Sequence, residues 1–321
     1  MSDDVGRHAS AKVLAATLTL MAREMGRLTG PLRLWMPDLT ATAIKEAAQA
    51  VISGQAAVLW VDDSHPAMGL AVCRIQPLES TLMGQGSLRL SGPWMVEPDG
   101  ATRYANARIV AAKAKEVAKK SQGHFLSIKT WHDPAILRAF IDEGFQLAEI
   151  GARLTRALDY PKNPLDFNRL AGFSIRKPKS YEFPDWFDSL GELFYDGHFS
   201  HGPYLSPAFQ NTLWREVALA DMKRGQPFLF LFQDRPEKPV GLAWGALNGP
   251  SGTLMAIHVS EERRGQGLGA FLAEALFKSM HEMGARDLTV ETASWNIPAL
   301  RLYQALGLSQ TAPLAALHLK L

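Results

Sequence analysis

The stretch of this chain best suited to chemistry is Val259-Ser-Glu-Glu-Arg-Arg-Gly-Gln-Gly-Leu-Gly-Ala270. An apolar, strand-like run from Leu254 to Val259 leads into it, and Phe271, Leu272, Ala275, Leu276 and Met280 follow at helical spacing. Glycines at 265, 267 and 269 let the backbone turn sharply and come close to a ligand with no Cβ in the way. At the start of a helix such a turn aims unpaired N–H groups at one place, where the helix dipole also favours an anion. Arg263 and Arg264 add positive charge beside it. The chemistry implied is phosphate binding. Gly265, Gly267 and Ala270 satisfy the dinucleotide fingerprint G-x-G-x-x-A, with Asp287 or Glu291 about 20 residues on. Only about 50 residues follow the loop, too few for the strands that fingerprint requires.

A second pattern overlaps the first. Arg264-x-x-Gly267-x-Gly269 resembles the pyrophosphate loop of the GCN5-related N-acetyltransferases. Leu288-Thr-Val-Glu-Thr292 then reads as a strand, Asn296 opens a helix carrying Tyr303 seven residues later, and Gly307-Leu308 ends it. That order is similar to the second half of the same family's signature. The resemblance implies that Arg264, Gly265, Gln266, Gly267, Leu268, Gly269 and Ala270 hold the pyrophosphate of acetyl-CoA or another short acyl-CoA. It implies that Ile257, His258 and Val259 lie on a bulged strand that splays from its neighbour to admit the pantetheine arm. Tyr303 matches the tyrosine that the family uses as general acid, and a phenol with a reference pKa near 10 is protonated at pH 7. Asn296 caps its helix and, by resemblance, touches the cofactor as well.

Acyl transfer from a thioester to an amine sets four tasks: grip the carrier, polarise the carbonyl, deprotonate the amine and protonate the thiolate. The base is open. Positions that some family members fill with Glu or His are Thr253 and Met255 here, and His258 faces away from them unless a bulge shifts its register. His258, Glu291, His198 and His201 are the candidates, with a water chain as the alternative. No metal is expected. For the acceptor, the loop Asp196-Gly-His-Phe-Ser-His-Gly-Pro-Tyr-Leu-Ser-Pro207 resembles a stretch of dTDP-fucosamine acetyltransferases and related nucleotide-sugar acyltransferases. His198, Phe199, His201 and Tyr204 are thereby candidate substrate-binding residues. His198 stands where arginine is usual, and Gly202 where aspartate is. The expected activity is N-acetyl transfer to the primary amine of a small molecule, such as a nucleotide-linked amino sugar. A non-catalytic CoA-binding or scaffolding module, and a peptide or protein acetyltransferase, are the alternatives.

At 321 residues the chain exceeds what one core usually serves. Its 47% hydrophobic and 21% charged residues are those of an ordinary globular protein. With a net charge of +2 and no long basic run, nucleic acid is not an expected partner. Lys113, Lys115, Lys119 and Lys120 recur at helical spacing, which suits a solvated helix face. The lone Cys73 forms no internal disulfide and reads as a small core residue. The apolar run Val13–Ala22 is too short to span a bilayer, and Asp3 and Asp4 precede it where a signal peptide would be basic. We expect an amphipathic helix over about Ala9–Leu28, no membrane partner and a cytoplasmic protein, either monomer or homodimer.

The elements that must position this chemistry alternate. In the first half they are helix Thr40–Ile52, strands Ala56–Val61, Gly69–Ile75 and Ser87–Val96, helix Arg103–Lys120, strand His124–Thr130, helix Pro134–Asp142 and strand Phe145–Leu158. The second half reads as strand Phe173–Lys177, helices Trp186–Tyr195 and Ala208–Lys223, strands Phe228–Phe232 and Val240–Leu247, then the glycine loop. The tail Leu314–Leu321 alternates and should close the sheet. Sliding one half over the other places Trp131 on Trp295, Pro134 on Pro298 and Gly144 on Gly307 with a single gap. The predicted fold class is mixed α/β: two tandem acetyltransferase-type domains, each a mixed, mostly antiparallel sheet flanked by helices. The first half is degenerate. It has Asp99 and one glycine in place of the loop, Phe140 in place of Tyr303 and His132 in place of Asn296. The expected division is 1–158 as a domain that binds no CoA, 159–171 as a linker and 172–321 as the catalytic domain.

Overall fold

The computed structural model describes residues 11–17, 19, 41–61, 69–95, 99–131, 133–158, 172–189, 204–233 and 238–321. In chain order these form α1 (Ala41–Ile52), β1 (Ala56–Trp60), β2 (Gly69–Ile75), α2 (Pro77–Met83), β3 (Gly86–Met95), α3 (Gly100–Lys120), β4 (Gly123–Trp131), α4 (Pro134–Asp142) and β5 (Gln146–Ala157). There follow β6 (Phe173–Arg176), α5 (Phe183–Ser189), α6 (Pro207–Lys223), β7 (Phe228–Gln233), β8 (Gly241–Asn248), β9 (Ser251–Val259), α7 (Leu268–Glu282), β10 (Asp287–Ala293), α8 (Ile297–Ala305) and β11 (Ser309–Lys320). Residues 11–17 are helical too, and Ala11 and Leu14 pack with Ala47, Val51, Leu70 and Val72. The remainder of the expected N-terminal helix and the linker 159–171 lie outside the described residues. Among those described, no helix is long and apolar enough to cross a membrane. Helix α2 was not expected: seven residues give too few turns for a helical period to show against its neighbours.

The chain makes two compact units, one of Met1–Ile150, His198–Phe209 and Ala312–Leu321, the other of Gly151–Gly197 and Gln210–Thr311. They are not the contiguous halves 1–158 and 172–321. In the first unit the C-terminal strand β11 pairs antiparallel with β4, from Leu314 opposite Trp131 to Lys320 opposite Phe125. Its Ala315, Leu317 and Leu319 enter the core under α3 and α4. In the second unit Gly151–Ala157 of β5 pairs antiparallel with β10, and Ala152 and Leu154 join the core under α7 and α8. Each half of the sequence thus lends a strand to the other unit, because inward-facing alternation fits either sheet.

The strands of each unit are mixed and mostly antiparallel. The first has one parallel pair, β3 with β4; the second has one, β9 with β10. Helices cover both faces of each. In the second unit α7 and α8 bury Leu268, Leu272, Leu276, Phe277 and Tyr303 on one face. The other carries an aromatic core of Phe183, Phe187, Phe228, Phe230, Phe232 and Trp244 beneath α5 and α6. On α3, Lys119 and Lys120 are exposed as expected, whereas Lys113 donates to the Trp60 carbonyl at 2.7 Å and Lys115 pairs with Glu143 at 2.5 Å. Cys73 is buried, which pushes its thiol up to about 12.

Candidate active site

Strand β9 pairs in parallel with β10 only from Ser251 to Leu254, opposite Asp287 to Val290. Beyond those residues the two strands part, while β9 continues against β8 to Val259. Against β8, Leu254 faces Gly245 and Ala256 faces Trp244, so Met255 is an extra, bulged residue. The bulge resets the alternation. Leu254 packs toward α7, Met255 and Ala256 both pack on the aromatic core, and Ile257 and Val259 return to the α7 side. His258 therefore shares the face of Ala256, so the bulge does supply the register shift its candidacy required. Burial, followed by the nearby Arg264 guanidinium, holds its imidazole below the usual histidine range. Met255–Val259 thus present to the β10 side an edge with no strand partner among the described residues.

After β9 the chain makes a single 3-10 turn at Glu261–Arg263, and Arg264 Nε donates back to the Val259 carbonyl at 3.1 Å. Gly265 and Gly267 then adopt φ of 78° and 77°, the left-handed region where a side chain is strained. A Cβ at either would have nothing within 4 Å, so open space adjoins the turn. Gly267 is the N-cap of α7, and no side chain caps it. The first-turn N–H groups of Leu268, Gly269 and Ala270 are thereby left to an external acceptor. Leu268 is buried and anchors this helix end, whereas Arg264, Gly265, Gln266 and Gly267 are exposed.

The first unit shows the same frame with the opening filled. There β3 and β4 pair only as far as Leu90 and Ile128, and Gly92 and Pro93 stand opposite Ala71 as a bulge. But Asp99 caps α3, its carboxylate accepting from Ala101 N at 3.0 Å and Thr102 N at 2.8 Å. These hydrogen bonds, Thr102 first, hold its carboxyl below the usual range. An anion already sits where α7 has none. Arg103, in the first turn of α3, meets Asp133 at 3.1 Å. Asp133 caps α4 as Asn296 caps α8, so Asp133 is the capping counterpart of Asn296. His132, the counterpart expected from the alignment, lies outside the described residues. Counted from these caps, Gly144 and Gly307 come equally far on, so the alignment gap falls before the helix and not after the proline. Phe140 is fully buried against Phe145, with ring centroids 5.0 Å apart.

Asn296 Oδ1 accepts from Ala299 N at 3.2 Å, the expected cap. Tyr303 is 5% exposed in the core beneath α7 and α8, and burial pushes its phenol up to about 12. Glu291, just past the last β9–β10 pair, is committed to an ion pair. Arg153 Nε and Nη2 reach its Oε1 at 2.9 and 2.6 Å. Glu291 is thus engaged by Arg153 and is not a free carboxylate. Of the acceptor loop, His198, Phe199 and His201 lie outside the described residues. Tyr204 is described, half-buried, and groups with the first unit. In the second unit Tyr303 shares one core with Leu268, and Ile257, Val259 and Ala270 pack against it. The sequence reading missed Arg153 and Arg156, two cations on a largely buried strand. That setting was itself the signal, since buried arginines are almost always paired.

The family described as Acetyltransferase (GNAT) matches residues 184–308. No curated protein matches the sequence. Among solved structures, the fold is similar to a GCN5-related N-acetyltransferase from Sphaerobacter thermophilus, 14% identical with a TM-score of 0.59 over 91% of this chain and 94% of that one. It is also similar to a tandem GNAT protein from the clavulanic acid biosynthesis pathway, 16% identical with a TM-score of 0.56 over 96% and 95%. A third similar fold is the glucosamine N-acetyltransferase region of a fungal multi-domain beta-N-acetylglucosaminidase, 12% identical with a TM-score of 0.53 over 80% and 32%. The last two describe, respectively, the two-unit architecture and a region within a longer protein. Residues 184–308 thus match the GNAT acetyltransferase family, within a fold similar to that of a tandem GNAT protein.

Proposed function

We propose that the protein transfers an acetyl or other short acyl group from acyl-CoA to the primary amine of a small molecule, with the second unit as the catalytic one. The observation that carries this is the contrast between two helix starts. Gly267 leaves the amides of α7 open beside parted strands, whereas Asp99 closes those of α3. The pyrophosphate then lies on residues 265–270, with Arg264 adjacent. The pantetheine arm lies along Ile257–Val259, and Asn296, by the family resemblance, contacts the cofactor as well. The amine nitrogen attacks the thioester carbon as His258 takes its proton. The tetrahedral intermediate collapses with loss of the C–S bond, and Tyr303 gives its proton to the departing sulfur. A nucleotide-linked amino sugar is the acceptor we favour within the small amines. Its support is the resemblance of the loop holding His198, Phe199, His201 and Tyr204 to nucleotide-sugar acyltransferases, together with one protein of similar fold that is a glucosamine N-acetyltransferase region.

Calorimetry with acetyl-CoA tests the binding, and CoA thiol release with amino sugars, alkyl amines and peptides tests the transfer. One acetyl-CoA per chain and release accelerated by a small amine are expected. Two sites per chain, or tight NAD binding in place of acetyl-CoA, would overturn the reading. Binding without release for any amine would make the protein a CoA-binding module, and release with peptides alone would make it a peptide acetyltransferase.

The base assignment has a pH signature. Burial and Arg264 lower the pKa of His258, so its imidazole is neutral and able to accept a proton at neutral pH. Activity should fall as pH drops through that lowered pKa, giving an acid limb below about pH 6.5, the unperturbed value. That limb should stay fixed across acceptors, whereas one arising from the amine's own ionisation moves with the amine. In His258→Gln it should vanish along with about 100-fold or more of the rate. A profile unchanged in that variant would leave deprotonation to water.

A further inference from the structure

We propose that Arg156 is a positioning residue for the reaction, fixing the helix of Tyr303 against the helix whose first turn forms the phosphate cradle. The proposal rests on the reading of Tyr303 as general acid. Arg156 lies on β5, opposite Leu288 of β10, and its side chain is on the same face as Leu154 and the core beneath α7 and α8. Its Nη1 donates to the Leu306 carbonyl and pairs with Glu274 Oε1 at 3.1 Å. The guanidinium carbon stands 5.4 Å from the centroid of the Phe277 ring.

These contacts join three elements. Leu306 is the C-cap of α8, three residues beyond Tyr303. Its carbonyl is one of those a helix end leaves without an intrahelical donor, and it sits at the negative end of the helix dipole. Glu274 and Phe277 belong to α7, which begins at the cradle. Arg156 is 18% exposed and Glu274 23%, so the bond is shielded from most solvent competition. One planar guanidinium therefore spans both helices from a strand beneath them. An acid buried on α8 must meet a sulfur whose position is set by α7. A displacement of about 1 Å in such a pair costs on the order of 100-fold in rate. The cation comes from the half of the sequence whose own cradle is filled, which gives that half a part in the other unit's chemistry.

A double-mutant cycle on the full-length chain tests this, with acetyl-CoA affinity from calorimetry and turnover from thiol release. Arg156→Gln should lower kcat by about 10- to 100-fold while the acetyl-CoA Kd moves less than about threefold. Arg156→Lys keeps the charge but not the two-sided grip, and should fall between. Added to Tyr303→Phe, Arg156→Gln should cost little more, since a residue acting through another shows no separate effect once that one is gone. Independent losses that multiply, or a Kd that worsens in step with kcat, would overturn the proposal while leaving the Tyr303 reading standing. A near-normal Tyr303→Phe would remove both. Hydrogen exchange gives a readout that needs no acceptor. Amides of 299–306 should exchange about tenfold faster in Arg156→Gln, with those of β7 unchanged. Uniform acceleration would show a general stabilising role instead, and no acceleration would show that Arg156 does not hold α8.

Discussion

Tyr303→Phe should lower turnover by about 100- to 10,000-fold, the range for general acid catalysis, while acetyl-CoA affinity stays nearly intact. The ring is retained, so its packing in the core beneath α7 and α8 is retained too. Burial is the sole influence shifting the phenol, so removing the hydroxyl should alter stability by less than about 1 kcal/mol. With its ionisation pushed up to about 12, the hydroxyl is protonated at every pH at which the enzyme would be assayed. The proton is therefore in place, and it passes to sulfur only as charge develops there, an interaction made in the transition state and not in the ground state. The loss should fall on kcat and not on binding. Steady-state kinetics with an accepted amine decides it. A variant keeping more than about a tenth of wild-type turnover, well above that range, makes Tyr303 a packing aromatic.

Gly267→Asp should reduce acetyl-CoA affinity by about 100-fold or more. Two terms combine. At φ 77° a side chain meets the left-handed penalty of about 1–2 kcal/mol. A carboxylate about 4 Å from a phosphate adds about 1 kcal/mol of repulsion in bulk water and about 4 in a partly shielded site. Asp99 shows what such a carboxylate does when the backbone suits it, occupying the first-turn amides of α3. Gly267→Ala carries the strain without the charge and should weaken binding only several-fold, so the pair of variants separates the terms. No Cβ contact lies within 4 Å at this position, so neither variant should disturb the core. Wild-type affinity in Gly267→Asp, measured by calorimetry, would move the pyrophosphate away from this loop.

Much of the chain was legible because its signals are local. Helix α4 and strand β2 run over the residues that periodicity and turn formers gave them, and most other ends moved by one to three residues. The left-handed turns at Gly265 and Gly267 and the cap at Asn296 followed from residue types, since φ above zero and an unpaired first-turn N–H are properties of a few neighbouring atoms. The bulge at Met255 was only conditional in the sequence, because an extra residue in one strand is defined by its partner, and Trp244 and Gly245 lie on another strand. Glu291 looked like a free carboxylate until the fold set Arg153 opposite it. The strand exchange was not legible at all. Alternation in β5 and β11 states which side chains turn inward, but any sheet with an open edge and a matching core satisfies it. Only the tertiary structure decided that the last strand of the chain belongs with β4 and that β5 carries its arginines to β10, because strand pairing is settled by residues far apart in sequence.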